Sequence, residues 1–409
     1  MSAASTQCCV VGGGPAGMML GLILARAGVD VVVLEKHADF LRDFRGDTIH
    51  PSTLDVMADL GLLERCLALP HQKVETLTAF IEDEPFLAAD LRHTPTTCRF
   101  IALMPQWDFL DFLAEEAERY VNFRLIRRAE ATALIQRGGR VIGVHAETST
   151  GPIEVAADLV VGADGRRSTV RAEAGLPAET LGAPMDVMWF RLSRQDSDGD
   201  ATGGRFSAGG LFVTINRGDY WQCALVIPKG GADAVRAEGL EAFRARVGRL
   251  APALADRAAE IGAWDHVSLL TVAVDRLTRW HAPGLLCIGD AAHAMSPIGG
   301  VGINLAIQDA VAAANLLAGP LRESRLTEND LAAVQARRAF PTRATQFLQV
   351  QVQNRVVSPV LASTRRLQAP LAIRLMRRFP VLARIPARIV GVGFRPERVT
   401  APALAARRD

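Results

Sequence analysis

Residues 7–35 read QCCVVGGGPAGMMLGLILARAGVDVVVLE, and their reading decides the fold. Residues 7–11 are apolar and β-branched, the composition of a strand covered on both faces. Gly12-Gly13-Gly14-Pro15-Ala16-Gly17 satisfies G-x-G-x-x-G. Residues 18–27 (MMLGLILARA) read as an apolar helix that stops at Gly28. Residues 29–34 form a second buried strand running into Glu35. Strand, glycine turn, helix, strand and acid follow in the order of a dinucleotide-binding βαβ unit. Gly12 permits the tight turn, Gly14 lets backbone approach a pyrophosphate, and Gly17 lets the helix pack on the strand. The phosphates sit at the positive helix N-terminus. Glu35 can accept hydrogen bonds from both adenosine ribose hydroxyls and would repel a 2′-phosphate. Pro15, Ala16 and Lys36 belong to the same cofactor-binding set. The competing reading, a glycine-rich turn that binds nothing, does not account for the acid after the second strand.

Two further segments extend the pattern. Residues 158–171 (DLVVGADGRRSTVR) read as an apolar strand, then Asp164-Gly165, then a helix start at Ser168. Residues 284–310 (GLLCIGDAAHAMSPIGGVGINLAIQDA) read as a buried strand ending at Gly289-Asp290, a Pro-Gly-rich loop, and a helix from about Gly302.

With Arg45 in FRGDTIHP (44–51), these segments resemble the fingerprint set of the FAD-dependent aromatic hydroxylases. These are the single-component flavoprotein monooxygenases of the para-hydroxybenzoate hydroxylase type. By motif order the resemblance covers about 1–350. It implies that Gly12, Gly14 and Gly17 hold the FAD pyrophosphate and Glu35 the adenosine ribose. Arg45 would contact FAD near its phosphates, and Gln106, opening a helix at 107–119, the ribityl chain. Asp164 would serve FAD and NAD(P)H, and Asp290 a ribityl hydroxyl. Gly300, Val301, Gly302, Ile303 and Asn304 would run beneath the flavin ring. A helix N-terminus at Gly302 also places positive potential where a reduced flavin carries negative charge. Where the family loop often carries a polar residue, this chain has Val301. It also has only Tyr120 and Tyr220, so the phenol-anchoring tyrosines of the type enzyme have no clear counterparts.

Composition narrows the remaining classes. The 409 residues are 49% hydrophobic and 22% charged, enough for a large core. Lys+Arg (46) nearly balances Asp+Glu (44), and aromatics are 6%, which argues against nucleic-acid binding. The six cysteines form no CxxC pair, so neither zinc nor a dithiol motif is supported, and buried thiols in a reducing cytoplasm are expected. The N-terminus has no basic, apolar leader pattern.

The expected fold class is α/β: a Rossmann-like FAD-binding domain, an inserted β-sheet substrate domain and a C-terminal helical region. Residues 1–70, 104–176 and 284–350 are assigned to the FAD domain, with one connecting helix at 51–67. Residues 71–103 and 177–283 are assigned to the substrate sheet, with strands at 186–193, 210–216, 220–227 and 267–274 and a helix at 240–260. Residues 351–409 are the basic helical region. Within it, 365–409 holds eleven arginines and no lysine against two acids, a net charge of +9. Such a stretch can lie on an anionic membrane or dock on a partner. Packing on the chain's own acidic body is the favoured reading, and Pro380, Pro386 and Pro396 interrupt any long helix.

Trp189, Tyr220, Trp221, Pro297 and Ile298 are candidates for the substrate cavity, with sheet core the equal alternative for Trp189, Tyr220 and Trp221. His50, His293 and Pro297 are candidates near the chemistry, with loop packing as the rival role for both histidines. The implied function is hydroxylation of an aromatic or polycyclic small molecule by a flavin C4a-hydroperoxide, with NADH or NADPH and O₂ as co-substrates. A flavin halogenase would be expected to show Trp-x-Trp-x-Ile-Pro and a reactive lysine; the motif is absent and only Lys36, Lys73 and Lys229 are available. A flavin reductase and a non-catalytic flavin carrier with a docking tail remain as alternatives. The oligomeric state, the nicotinamide and the substrate are not fixed by sequence.

Overall fold

The computed structural model describes residues 2–41, 48–199 and 202–406. The chain opens with β1 (Ser2–Val11), α1 (Pro15–Arg26) and β2 (Val31–Glu35). The two strands run parallel, with Cys8 opposite Val31 and Val11 opposite Leu34. Both are covered on both faces here, hence the unbroken apolar runs. α1 is buried from Ala16 to Ala25, so its apolar residues surround it instead of forming a stripe. A Cβ at Gly17 would lie 1.9 Å from the Gly12 carbonyl oxygen, so only glycine lets this helix sit so close.

Next come α2 (Pro51–Asp59), β3 (Thr76–Ile81), β4 (Glu84–Asp90) and α3 (Gln106–Glu118). Four strands follow: β5 (Phe123–Arg127), β6 (Ala129–Arg137), β7 (Arg140–Thr148) and β8 (Gly151–Gly162). The middle of the chain supplies β9 (Met185–Ser193), β10 (Gly203–Ser207), β11 (Gly210–Asn216), β12 (Tyr220–Pro228), α4 (Leu240–Leu250) and β13 (Ser268–Leu270). The last third contributes β14 (Leu285–Cys287), α5 (Gly302–Arg322), α6 (Glu328–Val352), α7 (Leu371–Arg378) and α8 (Arg384–Gly391).

These strands build two principal sheets. The first has eight strands, in the order His281–Ala282, β14, β8, β1, β2, β5, with the β6–β7 hairpin joined to β8. Its β5, β2, β1, β8 and β14 are parallel, as alternating strands and helices require. α1 and α5 pack together over it within one large apolar core. Ile298–Arg322, which includes α5, is long and apolar enough to cross a membrane by length and composition, but most of it is buried. The second sheet has seven strands, in the order β13, β9, β12, β11, β10, β3, β4. Its strands alternate. Phe190, Phe212, Cys223 and Leu225 point to an apolar layer with Phe243 and Val247 of α4. Val187, Leu211, Ala224 and Val226 point the other way. The whole is an α/β fold with an added sheet and C-terminal helices.

Several expected elements are shorter than the sequence suggests. The helix at 51–67 breaks after α2 at Gly61 (φ 71°) and resumes at Leu63–Leu67. At 240–260 the helix stops before Pro252 and continues as a 3₁₀ turn. The 267–274 strand pairs only over Ser268–Leu270, because the Asp186 carboxylate takes the Val272 N–H at 2.9 Å. Pro380 stands between α7 and α8.

Candidate active site

One cavity of about 770 Å³ connects the two sheets. At one end it is lined by Gly12, Gly14, Pro15, Ala16 and Glu35, from the turn after β1 and the end of β2. At the other it is lined by the inward face of the second sheet. The loop before α5 and the first turn of α5 lie along it through Met295, Pro297, Ile298, Gly300, Gly302 and Ile303.

The glycine-turn end of the cavity is built by backbone. Gly12 has φ 105°, and a Cβ there would strike the Ala163 carbonyl oxygen at 2.4 Å. At Gly14 a Cβ would meet nothing within 4 Å, so this residue opens onto free space. Gly14 also caps α1 without a side-chain acceptor, so the first-turn N–H groups remain for an anionic ligand. Glu35 Oε2 accepts from the Gly13 N–H at 3.0 Å, and Oε1 from the His37 N–H at 2.9 Å, which fixes the carboxylate at the cavity wall. Lys36 sits at the rim, its Nζ 3.9 Å from Glu130. Gln106 opens α3 into the same space. Asp290 lines the middle, its carboxylate 3.7 Å from the Arg166 guanidinium.

The loop before α5 is held from behind. Gly299 (φ 79°) and Gly300 (φ 63°) are consecutive left-handed residues, a conformation that side chains disfavour. The α5 N-terminus has no side-chain cap. Three glutamines on one stripe of α6 and its extension, Gln346, Gln349 and Gln353, face the loop. Gln349 takes the Ser296 N–H (3.1 Å) and donates to the Ser296 and Ile298 carbonyls (both 2.9 Å). Gln346 donates to the Ala294 carbonyl (3.1 Å), and Gln353 to the Ser296 hydroxyl (2.8 Å).

Several expected site residues face elsewhere. Gly17 packs α1 on the turn and does not line the cavity. Asp164 lines it, but its carboxylate accepts from Ser168 Oγ (2.6 Å) and Val170 N–H (3.2 Å), capping the turn that follows. Burial outweighs those bonds and raises its pKa. Val301 and Asn304 lie off the cavity wall. Asn304 Oδ1 accepts from the His50 N–H and Thr53 Oγ (both 2.8 Å), and Nδ2 donates to the Thr48 carbonyl (3.0 Å). It therefore ties the start of α2 to α5.

His293 is 1% exposed and sits behind the loop, its Nε2 2.5 Å from Asp309 Oδ2 and its ring 5.0 Å from Trp280. It does not line the cavity. Burial pushes the Asp309 carboxyl up, but His293 and the Arg338 guanidinium outweigh that and hold it below the ordinary range. His50 does line the cavity, although its ring is fully buried and its Nδ1 donates to the Val390 carbonyl at 2.8 Å. Burial pushes its pKa down to about 4, so it is neutral at pH 7. Arg45 falls outside the described residues.

On the sheet, Trp189 lines the cavity. Trp221 does not: strand alternation turns it into the opposite layer, where Nε1 donates to Asp198 Oδ2 at 2.9 Å. Tyr220 shares the cavity-side parity but lies at the strand end, beneath the Arg191 guanidinium, 4.8 Å from its ring centre. Alternation instead supplies Met185, Val187, Leu211, Val213, Gln222 and Ala224, which the sequence reading missed. Arg217, in the β11–β12 turn, is the one charged side chain that this sheet and its turns add to the lining among the described residues. Gln222 Oε1 fixes its guanidinium, accepting from Nε at 2.8 Å and Nη2 at 2.6 Å.

The set fits FAD. A glycine cradle and an uncapped helix N-terminus suit a pyrophosphate, a carboxylate suits a ribose, and a second uncapped helix lies further along the same cavity.

Comparison with known proteins agrees. The family profile described as "FAD binding domain" matches residues 5–348. The chain is 35% identical over 394 residues to "6-methylpretetramide 4-monooxygenase" of Streptomyces rimosus, covering 94% of this chain and 92% of that protein. Among solved structures, p-nitrophenol 4-monooxygenase PnpA of Pseudomonas putida superposes with a TM-score of 0.75 at 20% identity, covering 95% of this chain and 97% of that one. OxyS anhydrotetracycline hydroxylase of Streptomyces rimosus superposes with a TM-score of 0.72 at 23% identity, covering 95% and 76%. At these identities the two structures speak for the fold alone. The glycine cradle, the cavity and these matches together place the chain in the FAD-binding-domain family, among the FAD-dependent aromatic monooxygenases.

Proposed function

We propose that the chain hydroxylates a bulky, largely apolar fused-ring aromatic, with NADH or NADPH as reductant, and that the second sheet is its substrate-binding part. The carrying observation is the cavity itself. It runs without interruption from the Gly14–Glu35 cradle to an apolar sheet face, and Arg217 braced by Gln222 is the charged group that this sheet brings. The 35%-identical Streptomyces rimosus relative is named for 6-methylpretetramide, which supports a fused-ring substrate over a small benzoate.

When bound, FAD supplies electron transfer from the nicotinamide and activation of O₂. The protein's contribution is placement. Gly12, Gly14 and the α1 N-terminus bind the pyrophosphate, and Glu35 and Asp290 offer acceptors to sugar and ribityl hydroxyls. The α5 N-terminus turns its positive end to the ring system. Val187, Trp189, Leu211, Val213 and Ala224 hold a planar substrate and exclude water. The Arg217 guanidinium receives a phenolate or keto oxygen, which lowers the cost of the phenolate whose ring positions accept oxygen. All six cysteines are free and buried, which supports a reducing, cytoplasmic location.

The test is NAD(P)H oxidation by the flavin-loaded chain with fused-ring phenols and with hydroxybenzoates, the product identified after ¹⁸O₂ labelling. Fused-ring phenols should stimulate oxidation and acquire label. Stimulation without label, or preference for hydroxybenzoates, overturns the reading.

A further inference from the structure

We infer that α7 and α8 form a docking face for an anionic lipid bilayer. This goes beyond the catalytic reading and rests on different residues.

In α7, Leu371 and Leu375, with Phe379 just beyond, recur every fourth residue and are 63, 42 and 50% exposed. Arg374 and Arg378 form the adjoining stripe. In α8 the arrangement repeats, with Ile385 (60%) and Ile389 (37%) beside Arg384 and Arg388, and Val381 (55%) between the helices. Six large apolar side chains thus stand out of the surface, interleaved with arginines. Among the described residues, no carboxylate pairs with Arg374, Arg378 or Arg388.

The other face of α8 is packed on the body, and α7 is tied to it through Arg377. Ala387 and Gly391 are buried, and a Cβ at Gly391 would meet Leu91 at 2.7 Å and Pro51 at 3.3 Å. The Val390 carbonyl receives His50. Arg377 pairs with Glu84, and nearby Arg366 with Asp83. Arg374 borders the recess that holds Arg366, Arg377, Glu82 and Glu84 without pairing with either acid, while Arg378 and Arg388 stand apart from it. Packing on the chain's own acidic body explains Arg366, Arg377 and Arg398 but not the outward stripe.

The partner follows from charge. Residues 367–396 contain no Asp or Glu. A second copy placed about a twofold axis would set arginine against arginine. A bilayer with anionic headgroups accepts both stripes at once, since arginine stems reach the headgroup layer while Leu, Ile and Phe enter the acyl boundary. The face also lies close to the site: the Val390 side chain would be 3.6 Å from a Cβ at Gly299 in the loop before α5.

The experiment is co-sedimentation of the full, FAD-loaded chain with phosphatidylglycerol–phosphatidylcholine vesicles and with phosphatidylcholine alone. Binding is expected to the anionic vesicles only, and to be lost in 0.5 M NaCl. Each arginine near the surface is worth about fivefold in partitioning, about 1 kcal/mol. The triple variant Arg374→Gln, Arg378→Gln, Arg388→Gln should therefore bind about a hundredfold more weakly. Leu375→Ser with Phe379→Ser should abolish binding with flavin content unchanged. No binding to anionic vesicles, or binding indifferent to these substitutions, overturns the inference. So does a dimer that these substitutions dissolve in the absence of vesicle binding. Sedimentation needs no turnover, so it can fail while the ¹⁸O₂ test succeeds, and the reverse.

Discussion

Replacing His50 by asparagine should remove a large part of the acid sensitivity of this fold. The imidazole is fully buried, donates from Nδ1 to Val390, and leaves Nε2 without a hydrogen-bond partner. It ionises at about 6.5 in an unfolded chain and at about 4 in the native one. Between those values the unfolded chain binds a proton that the native chain refuses. Stability is therefore fully present above about pH 6.5 and is lost as pH falls towards 4. The whole gap corresponds to about 3 kcal/mol, of which about 2 kcal/mol falls between pH 7 and pH 5. Asparagine offers an N–H in the place of Nδ1 and suits an N-cap, the position His50 holds on α2. Urea unfolding of the flavin-loaded chain, followed by tryptophan fluorescence at pH 7 and pH 5, gives the difference for each protein. The wild type should lose about 2 kcal/mol more than His50→Asn, since other carboxylates and histidines cancel in the comparison. Equal losses would mean that the native imidazole accepts a proton as readily as the unfolded one, and the buried, neutral assignment would be wrong.

Gln349→Leu strips partners from the Ser296 N–H and the Ser296 and Ile298 carbonyls, and should cost about 3 kcal/mol or more in urea unfolding while loosening bound flavin. Glu35→Ala should weaken FAD binding to the apoprotein by about tenfold to a hundredfold, read by titration calorimetry, because a charged acceptor is lost. Arg217→Met should raise KM for a phenolic substrate by at least about tenfold with FAD content unchanged; an unaltered KM would remove Arg217 from substrate binding. Ala224→Phe, on the cavity side of β12, should exclude bulky substrates, whereas Cys223→Ala, one residue along, should cost stability and leave KM alone.

The first sheet and its cofactor cradle were legible because their signals are local. A strand buried on both faces, a glycine turn and an apolar helix are written in consecutive residues, as at 7–35 and again at 284–310. What escaped depends on distant partners. Gln346, Gln349 and Gln353 look like the solvated face of a long helix, and only the loop at 294–298 shows that they are buried. The motif puts the Asn304 backbone beneath the flavin and says nothing of its side chain, whose four hydrogen-bonding capacities are taken by Thr48, His50, Thr53 and Gly300. Residue type alone leaves Trp221 evenly between cavity and sheet core. Period-two alternation, with Trp189 as the reference and the β9–β12 register, would have excluded it and selected Gln222 and Ala224.

That alternation separates two evolutionary burdens within single strands. Along the central stretches of β9, β11 and β12 alternate side chains line the cavity, while their neighbours carry the packing against α4. Ligand preference can therefore drift by single substitutions at alternate positions without disturbing the layer that keeps the sheet folded, and a library restricted to those positions would sample new chemistries from a scaffold that stays intact.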